Sequence, residues 1–177
     1  MPELIIIAAI DQNNGLGFKN HLLCHLHDDL KNFKRLTSGH TVVMGHKTWE
    51  SLSLKPLPNR KNIVLTRQSD ATFTDSIASV SVKDVLEQCA EDEKVFVIGG
   101  ANVYNQFIEI ADRMIITHIH HRFISDVFFP EIADEKWIKI IETEHKIDER
   151  HAYEYVICEY LRRDLINEKN FHLLMNK

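Results

Sequence analysis

One acidic residue on the first predicted helix has the best position for chemistry. Residues 27–37 have the spacing of an amphipathic helix with an apolar stripe of Leu30, Phe33 and Leu36, and Leu26 directly before it continues the stripe. Asp29 leans toward this stripe, whereas Asp28 belongs to the polar face. Because a carboxylate among apolar groups is costly without a partner, Asp29 is predicted to meet a ligand. The alternative left open by this segment is that Asp29 caps the first turn and stays hydrated.

Two glycine turns between a strand and a helix could bind phosphate groups. In VFVIGGANVY a buried strand ends in Gly99 and Gly100, and in VVMGHKTWES a strand ends in Gly45 before Lys47 and Thr48. Backbone amides at such turns can hold phosphate oxygens. Neither turn has the spacing of a Rossmann or P-loop motif. Together with an inward acid, the two turns indicate an enzyme that uses a nucleotide.

Histidines and cysteines do not predict a metal site. His118 and His120 would share one face of a strand next to His121, but no cysteine or acidic cluster accompanies them, so packed or solvent-facing side chains explain them better. The cysteines are widely spaced and odd in number, which indicates free thiols and a reducing compartment. They are Cys24, Cys89 and Cys158.

Length, charge and the first residues limit the class of protein. The chain has 177 residues, 44% of them hydrophobic, and a formal charge of -5, which argues against a general nucleic-acid binder. The opening MPELIIIAAID carries Glu3 and is too short and too acidic for a membrane span or a signal peptide. A cytoplasmic location without a membrane partner is expected.

Strands and helices alternate over the first two-thirds of the chain. Strand-like runs are ELIIIAAI, TVVMG, NIVLT, KVFVIGG and RMIITHI, and helix-like runs lie at about 27–37, 46–52, 82–91 and 101–110. This alternation predicts a parallel sheet. Three later runs, DVFFP, KWIKIIETEHKI and YEYVICEYLRR, are predicted to close the same sheet as an antiparallel edge. One domain over 1–163 is expected, followed by an extension, 164–177, that forms a short helix or a disordered tail.

Taken together, these segments resemble dihydrofolate reductase. The matching runs, in the family's order, are IAAIDQNNGLG, DDLKNFKRLT, VVMGHKTWES, PLPNRKNIVLTR, FVIGGANVY, ITHI and SDVFFP. The resemblance implies an α/β fold with a central eight-stranded, mostly parallel sheet, an antiparallel C-terminal edge and four flanking helices. It also implies reduction of 7,8-dihydrofolate to 5,6,7,8-tetrahydrofolate by hydride transfer from NADPH, a reaction of one-carbon metabolism. Antifolates as ligands and a monomeric state are further implications.

The resemblance also assigns residues to the substrate. Asp29 matches the catalytic acid that hydrogen-bonds the pterin, and Thr117 matches the hydroxyl that braces it. Arg60 matches the cation that clamps the substrate's glutamate carboxylate, a task suited to a planar guanidinium. The remaining substrate positions are Ile7, Ala9, Leu30, Phe33, Lys34, Leu52, Leu57 and Ile98.

Three groups of residues match the NADPH site. The lid over the nicotinamide corresponds to Ala9, Leu16, Gly17 and Leu22. The pyrophosphate turn and its helix correspond to Ile98, Gly99, Gly100, Ala101, Asn102, Val103, Tyr104 and Gln106. The adenosine-phosphate pocket corresponds to Gly45, His46, Lys47, Thr48, Leu65, Thr66 and Arg67.

The chain departs from the family pattern near this site. Leu23 and Cys24 stand where the family has Pro-Trp, and His27 stands where it has a second proline, so a less ordered lid is expected. His46 replaces an arginine that contacts phosphate, so weaker NADPH affinity that rises on acidification is expected.

Two other functions fit the same observations. A pyrimidine reductase of riboflavin synthesis shares the fold, and a non-catalytic binder of folate or NADPH would tolerate the departures. The pair of Asp29 and Arg60 favours the folate enzyme, because it suits a pterin at one end and a glutamate tail at the other.

Overall fold

Eleven strands and four α-helices are present in residues 1–166, the part of the chain that the computed structural model describes. The strands are β1 (Glu3–Ile10), β2 (Gly15–Phe18), β3 (His21–Leu22), β4 (Thr41–Gly45), β5 (Lys61–Leu65), β6 (Ile77–Ser79), β7 (Lys94–Val97), β8 (Arg113–Ile119), β9 (Val127–Phe128), β10 (Trp137–His145) and β11 (Tyr155–Arg162). The helices are α1 (His27–Thr37), α2 (His46–Ser51), α3 (Val82–Gln88) and α4 (Ala101–Phe107).

Eight strands form the main sheet in the order β10-β11-β8-β1-β7-β4-β5-β6. The pairs from β8 to β6 are parallel, and β11 and β10 add an antiparallel edge beside β8. The predicted eight-stranded, mostly parallel sheet with its antiparallel C-terminal edge is confirmed. In this order β7 lies between β1 and β4. Open α/β sheets bind ligands at the carboxyl ends of their strands, so the carboxyl ends of β1, β7 and β4 are where a ligand site is expected.

Both faces of the sheet are covered by helices. Successive side chains of β1 point to opposite faces of the sheet. Leu4 and Ile6 pack in the core beneath α3 and α4, whereas Ile5 packs in the core beneath α1 and α2. The β-branched strands therefore read as continuous apolar runs, as is typical of a parallel sheet buried on both sides. Trp49 anchors α2 and Phe107 anchors α4 in these cores.

A second, three-stranded sheet corrects two details of the sequence interpretation. The DVFFP run forms β9, which pairs with β2 in the order β3-β2-β9, so the prediction that it closes the main sheet was wrong. The segment before α1, in which the sequence showed no strand-like run, also contributes β2 and β3 to this small sheet. Strands of two to four residues carry too few side chains for an alternating pattern, which explains why β2 and β3 had no sequence signal. The error for β9 concerns its partner, because a local pattern does not specify which strand a run pairs with.

The four predicted helices are confirmed, but α3 and α4 end about three residues earlier than predicted. α3 stops at Gln88 and α4 at Phe107, because the chain then tightens into turns in which Ala90 donates to the Glu87 carbonyl and Ile110 to the Phe107 carbonyl. Strand β6 had no individual sequence signal. A 3-10 turn, Arg163–Leu165, begins one residue before the predicted extension, and the part of the predicted helix or tail beyond residue 166 lies outside the described residues. No helix within 1–166 is long and apolar enough to span a membrane.

Candidate active site

Five parallel strands bring predicted site residues to one edge of the sheet. Ala9 lies near the end of β1, Gly45 ends β4, Thr66 follows β5, Ile98 follows β7 and Thr117 lies near the end of β8. Because these strands run in the same direction, their carboxyl ends meet at the same edge. The structure therefore brings together residues that are more than a hundred positions apart in sequence.

Asp29 lies at this edge and is held by a hydroxyl. The Oγ1 of Thr117 donates to Asp29 Oδ1 at 2.6 Å, and Thr117 itself is buried. Burial raises the pKa of the Asp29 carboxyl above its ordinary value, while the Thr117 hydrogen bond and the nearby His145 act in the opposite direction. The acid therefore holds a proton more readily than a hydrated carboxyl does.

The start of α1 determines where Asp29 points. Leu26, the residue before the helix, is buried and packs with Ile119 and Tyr155. An aliphatic side chain cannot cap a helix, and the backbone N–H of Asp28 instead donates to Nε2 of His151 at 3.2 Å. Asp29 is the third residue of the helix. The sequence alternative, in which Asp29 merely caps a hydrated turn, does not fit its contact with Thr117.

The length of α1 separates Asp29 from Arg60. α1 ends at Thr37, whose hydroxyl accepts a hydrogen bond from Arg60 Nη1 at 3.2 Å. At 1.5 Å per residue the helix places about 12 Å between the Asp29 and Thr37 backbones. The Arg60 guanidinium also lies 5.9 Å from the Phe33 ring, and Nε donates to the Pro58 carbonyl. Partial burial lowers the pKa of Arg60. The guanidinium nevertheless stays charged, because the ordinary pKa of an arginine is very high.

Half-buried apolar residues line the space along α1. Ile7 lies in β1, Ile98 directly follows β7, and Leu52 and Leu57 come from the segment after α2. All four pack against the core on one side and keep exposed surface on the other. Leu30 and Phe33 are likewise half-buried on α1, whereas Lys34 is exposed. α1 itself carries Asp29 in its first turn, and its last residue, Thr37, contacts Arg60.

The two glycine turns predicted from the sequence lie side by side. The N–H of Gly45 donates to the carbonyl of Gly99 at 2.7 Å, because β4 and β7 are neighbours in the sheet. Gly99 has φ +114°, which favours glycine, and a Cβ there would lie 3.1 Å from the Tyr104 hydroxyl. A Cβ on Gly100 would lie 3.3 Å from Thr48 Oγ1. Without side chains, these turns let a ligand approach the backbone closely, which suits a pyrophosphate.

Helix α4 presents only part of the predicted set to that turn. Val103 and Tyr104 are buried in the core, and the Tyr104 hydroxyl donates to the carbonyl of Ile7 at 2.8 Å. Burial raises the pKa of Tyr104 above its usual range. Asn102 and Gln106 are exposed and bonded to each other at 2.7 Å. The buried pair therefore orients the helix, and the exposed pair is available to a ligand.

The predicted adenosine-phosphate residues form a cationic rim. Lys47 and Arg67 are exposed, Leu65 ends β5, and Thr66 is buried beside them. His46 packs edge-on against Phe73 at 5.2 Å, and its Nε2 lies 3.6 Å from Glu50 Oε1. An imidazole offers a phosphate fewer hydrogen-bond donors than a guanidinium does.

The lid residues occupy different environments. Leu16 packs on the core and Gly17 is buried in β2, whereas Leu22 is 67% exposed. Cys24 packs on the cluster of Leu26, Ile119 and Tyr155, and burial followed by the charge of Asp29 raises its pKa to about 11. A thiol with this pKa is protonated at neutral pH, which favours a passive apolar role over a reactive one.

Sequence reasoning missed several residues that hold the site. Asp11 is buried and accepts from the backbone N–H groups of Asn13, Gly15 and Phe123, each at 2.8 Å, and so ties the lid to the loop after β8. An aspartate before an Asn-Asn-Gly turn was a usable signal for this role. His145 and His151 come from the far end of the chain, and local sequence carried no signal for their proximity to α1.

Comparison with known proteins identifies the family. The family model described as "Dihydrofolate reductase" matches residues 3–162. The chain is 42% identical over 158 residues to a dihydrofolate reductase of Bacillus subtilis (strain 168), covering 89% of this chain and 94% of that protein. It is 39% identical over 162 residues to one from Staphylococcus aureus, covering 90% and 98%.

A solved structure agrees with the sequence comparison. Dihydrofolate reductase from Enterococcus faecalis, complexed with NADP(H) and RAB-propyl, superposes with a TM-score of 0.85 at 36% identity, covering 91% of this chain and 96% of that one. Family, relatives and fold all agree with the resemblance noted in the sequence. The chain therefore belongs to the dihydrofolate reductase family and is an oxidoreductase that reduces dihydrofolate with NADPH.

Proposed function

We propose that Asp29 is the ionisable side chain that drives reduction of 7,8-dihydrofolate to 5,6,7,8-tetrahydrofolate. The main observation behind this proposal is the hydrogen bond that Thr117 donates to the partly buried Asp29. In this proposal Asp29 hydrogen-bonds the 2-amino group and the adjacent ring nitrogen of the pterin. A carboxylate in a dry pocket polarises a bound ring strongly, because little water screens its charge.

The reaction adds a hydride and a proton across the N5=C6 bond of the pterin. NADPH, when bound, supplies the hydride that C6 receives. Asp29 makes N5 easier to protonate, and a water admitted by the lid delivers the proton. A carboxyl whose pKa is raised by burial suits acid-base work near neutral pH, which supports this assignment.

The half-buried apolar residues along α1 orient the rest of the substrate. Ile7, Leu30, Phe33 and Ile98 would pack on the pterin and benzoyl rings, and Arg60 would bind the glutamate carboxylate. The separation of about 12 Å along α1 suits a ligand with a ring at one end and an acid at the other. Thr37 and Pro58 hold the Arg60 guanidinium in place, so less rotamer freedom is lost on binding.

The glycine turns and the cationic rim are proposed to hold NADPH. Gly99 and Gly100 would face the pyrophosphate, since the lack of side chains leaves their backbone accessible. Lys47 and Arg67 are exposed beside Thr66 and would attract the remaining phosphate. His46, held near Glu50, would contribute weakly at neutral pH.

We also propose a cellular compartment, an oligomeric state and a class of inhibitors. The three cysteines are free thiols, which suits a reducing cytoplasm. We expect a monomer, testable by light scattering, and we expect antifolates to compete with dihydrofolate for the same site. The family match favours the folate enzyme over the pyrimidine reductase of riboflavin synthesis.

Absorbance at 340 nm with NADPH and dihydrofolate tests the function directly. Consumption of NADPH that requires dihydrofolate supports the proposal, and the D29N variant should lose it. Tight binding of both ligands without consumption would support a non-catalytic binder instead.

A further inference from the structure

The N-terminus of α1 is capped by a histidine from the other end of the chain. His151 lies in the turn between β10 and β11 and is 2% exposed. Its Nε2 accepts the backbone N–H of Asp28 at 3.2 Å, across 123 residues of sequence. The first N–H groups of a helix have no partner within the helix, so an external acceptor of this kind stabilises the first turn.

The hydrogen bonds determine which ring nitrogen of His151 carries the proton. A backbone N–H can only donate, so Nε2 must be the unprotonated acceptor and Nδ1 must hold the hydrogen. Nδ1 lies 2.8 Å from Asp148 Oδ1, which accepts that hydrogen. The same carboxylate oxygen accepts the backbone N–H of His151 at 2.9 Å and that of Arg150 at 2.8 Å. Asp148 therefore fixes both the orientation of the His151 ring and its tautomer.

The His151 ring is buried, whereas the two carboxylates beside it, Asp28 and Asp148, reach solvent. Tyr155 of β11 lies 5.6 Å from the His151 ring and stacks on His145 of β10 at 4.5 Å. Within residues 1–166 the Tyr155 hydroxyl is buried without a hydrogen-bond partner, and burial, followed by the charges of Asp29, Asp28 and Asp148, raises its pKa to about 12. In the described part of the chain, two charged groups face the His151 ring: Asp28 from α1 and Asp148 from the turn that contains His151. Tyr155 of β11 lies beside them.

We propose that His151, oriented by Asp148, is a positioning residue for Asp29. Asp28 and Asp29 are consecutive residues in the first turn, so the acceptor that holds the Asp28 amide also sets the position of the next carboxylate. The inference rests on the proposed role of Asp29 and adds a second group that acts through it.

Protonation of His151 would remove the cap. A charged imidazole has two donors and no acceptor, so Nε2 would face the Asp28 N–H as a second donor. The protonated Nε2 could instead donate to Asp28 Oδ2, which lies 3.8 Å away. A ring turned toward this carboxylate would no longer contact the Asp28 backbone N–H. The cap is therefore a neutral-state contact that weakens on acidification.

The test compares three variants of the full chain. H151Q keeps a neutral acceptor that does not titrate, H151A removes the acceptor, and H120Q is the control because His120 is half-exposed and pairs with Glu154. Hydride transfer is followed in single turnovers with saturating NADPH and dihydrofolate, from about pH 8 to about pH 5, the range in which histidines titrate.

The ratio of H151Q to wild-type rates is the decisive measurement. We expect a ratio near one at the alkaline end that rises roughly fivefold on acidification, and a loss of roughly fivefold in H151A even at the alkaline end. The H120Q ratio should stay flat. A flat H151Q ratio would overturn the positioning role, while a still inactive D29N variant would show that the function of Asp29 stands independently.

Nuclear magnetic resonance of the wild-type protein keeps the proposal testable if H151A fails to fold. The imidazole nitrogen spectrum should show His151 as the neutral tautomer with hydrogen on Nδ1. The Asp28 amide should be protected from exchange in the wild type and in H151Q. A hydrogen on Nε2 at neutral pH would contradict the inference.

Discussion

The hydroxyl of Thr117 donates to the carboxylate of Asp29 at 2.6 Å across 88 residues of sequence. The contact joins the end of β8 to the first turn of α1, and it is the only polar support of Asp29 found among the hydrogen bonds of residues 1–166. Burial raises the pKa of Asp29, and this hydrogen bond opposes the rise. The balance between these two effects determines how much of the acid is ionised when the pterin binds.

Replacing Asp29 by asparagine should abolish most activity at neutral pH. D29N keeps the size of the side chain and removes its charge, so the bound pterin loses the polarisation that favours protonation of N5. We expect hydride transfer to fall roughly a hundredfold or more. Single-turnover absorbance at 340 nm measures the rate, and D70N, which alters an exposed loop carboxylate, is the control. Unchanged turnover in D29N would refute the assignment.

The same substitution should stabilise the ligand-free protein at neutral pH. Because the pKa of Asp29 is raised in the folded state, the native protein binds this proton more readily than the unfolded chain does. The stability contributed by Asp29 is thus fully present below its ordinary pKa of 3.8 and is lost as pH rises through the raised value. Urea unfolding at several pH values should show D29N more stable than wild type at neutral pH, with the difference shrinking in acid.

Removing the Thr117 hydroxyl should shift the pH profile upward. The hydrogen bond favours the ionised form of Asp29, so T117V should raise the pKa of the acid further. The pH at which hydride transfer falls to half its maximum should move to a higher value. T117S keeps the hydroxyl and is the matched control. Equal profiles for T117V and T117S would mean that the bond has no role in tuning Asp29.

Truncating Arg60 should affect substrate binding more than chemistry. R60A removes the proposed partner of the glutamate carboxylate, and we expect the KM for dihydrofolate to rise roughly tenfold to a hundredfold with a smaller change in kcat. R60K should be intermediate, because an ammonium cannot bind bidentately. A dihydropterin without the glutamate tail should show no difference between R60A and wild type, and a difference there would argue against the clamp.

His46 should make NADPH binding depend on pH. A proton on the ring adds positive charge beside the phosphate, so affinity should increase on acidification. H46R should bind NADPH more tightly at neutral pH with a flatter profile, and H46Q should remain weak throughout. Fluorescence titration of NADPH measures all three, and a flat wild-type profile would contradict the prediction.

Local patterns in the sequence predicted much of the fold. The apolar runs of β1, β4, β5, β7 and β8 and the four helices were recognisable, because strands buried on both faces and amphipathic helices have distinct periods. The short strands β2, β3 and β6 were not, since two to four residues carry too little pattern. Strand β9 was recognised within the DVFFP run, but its sheet was not. The antiparallel edge was correct for β10 and β11 and wrong for β9.

By itself, the sequence determined which residue types were available: an acid on an apolar helix face, two glycine turns and an arginine after a proline turn. The tertiary structure alone decided which of them meet. Thr117 reaches Asp29 because β8 lies beside β1, and Gly45 meets Gly99 because β4 lies beside β7. His151 reaches the Asp28 amide only through the β10 and β11 edge. Local periodicity carries no information on such long-range pairs, since sheet order and helix packing set their distances.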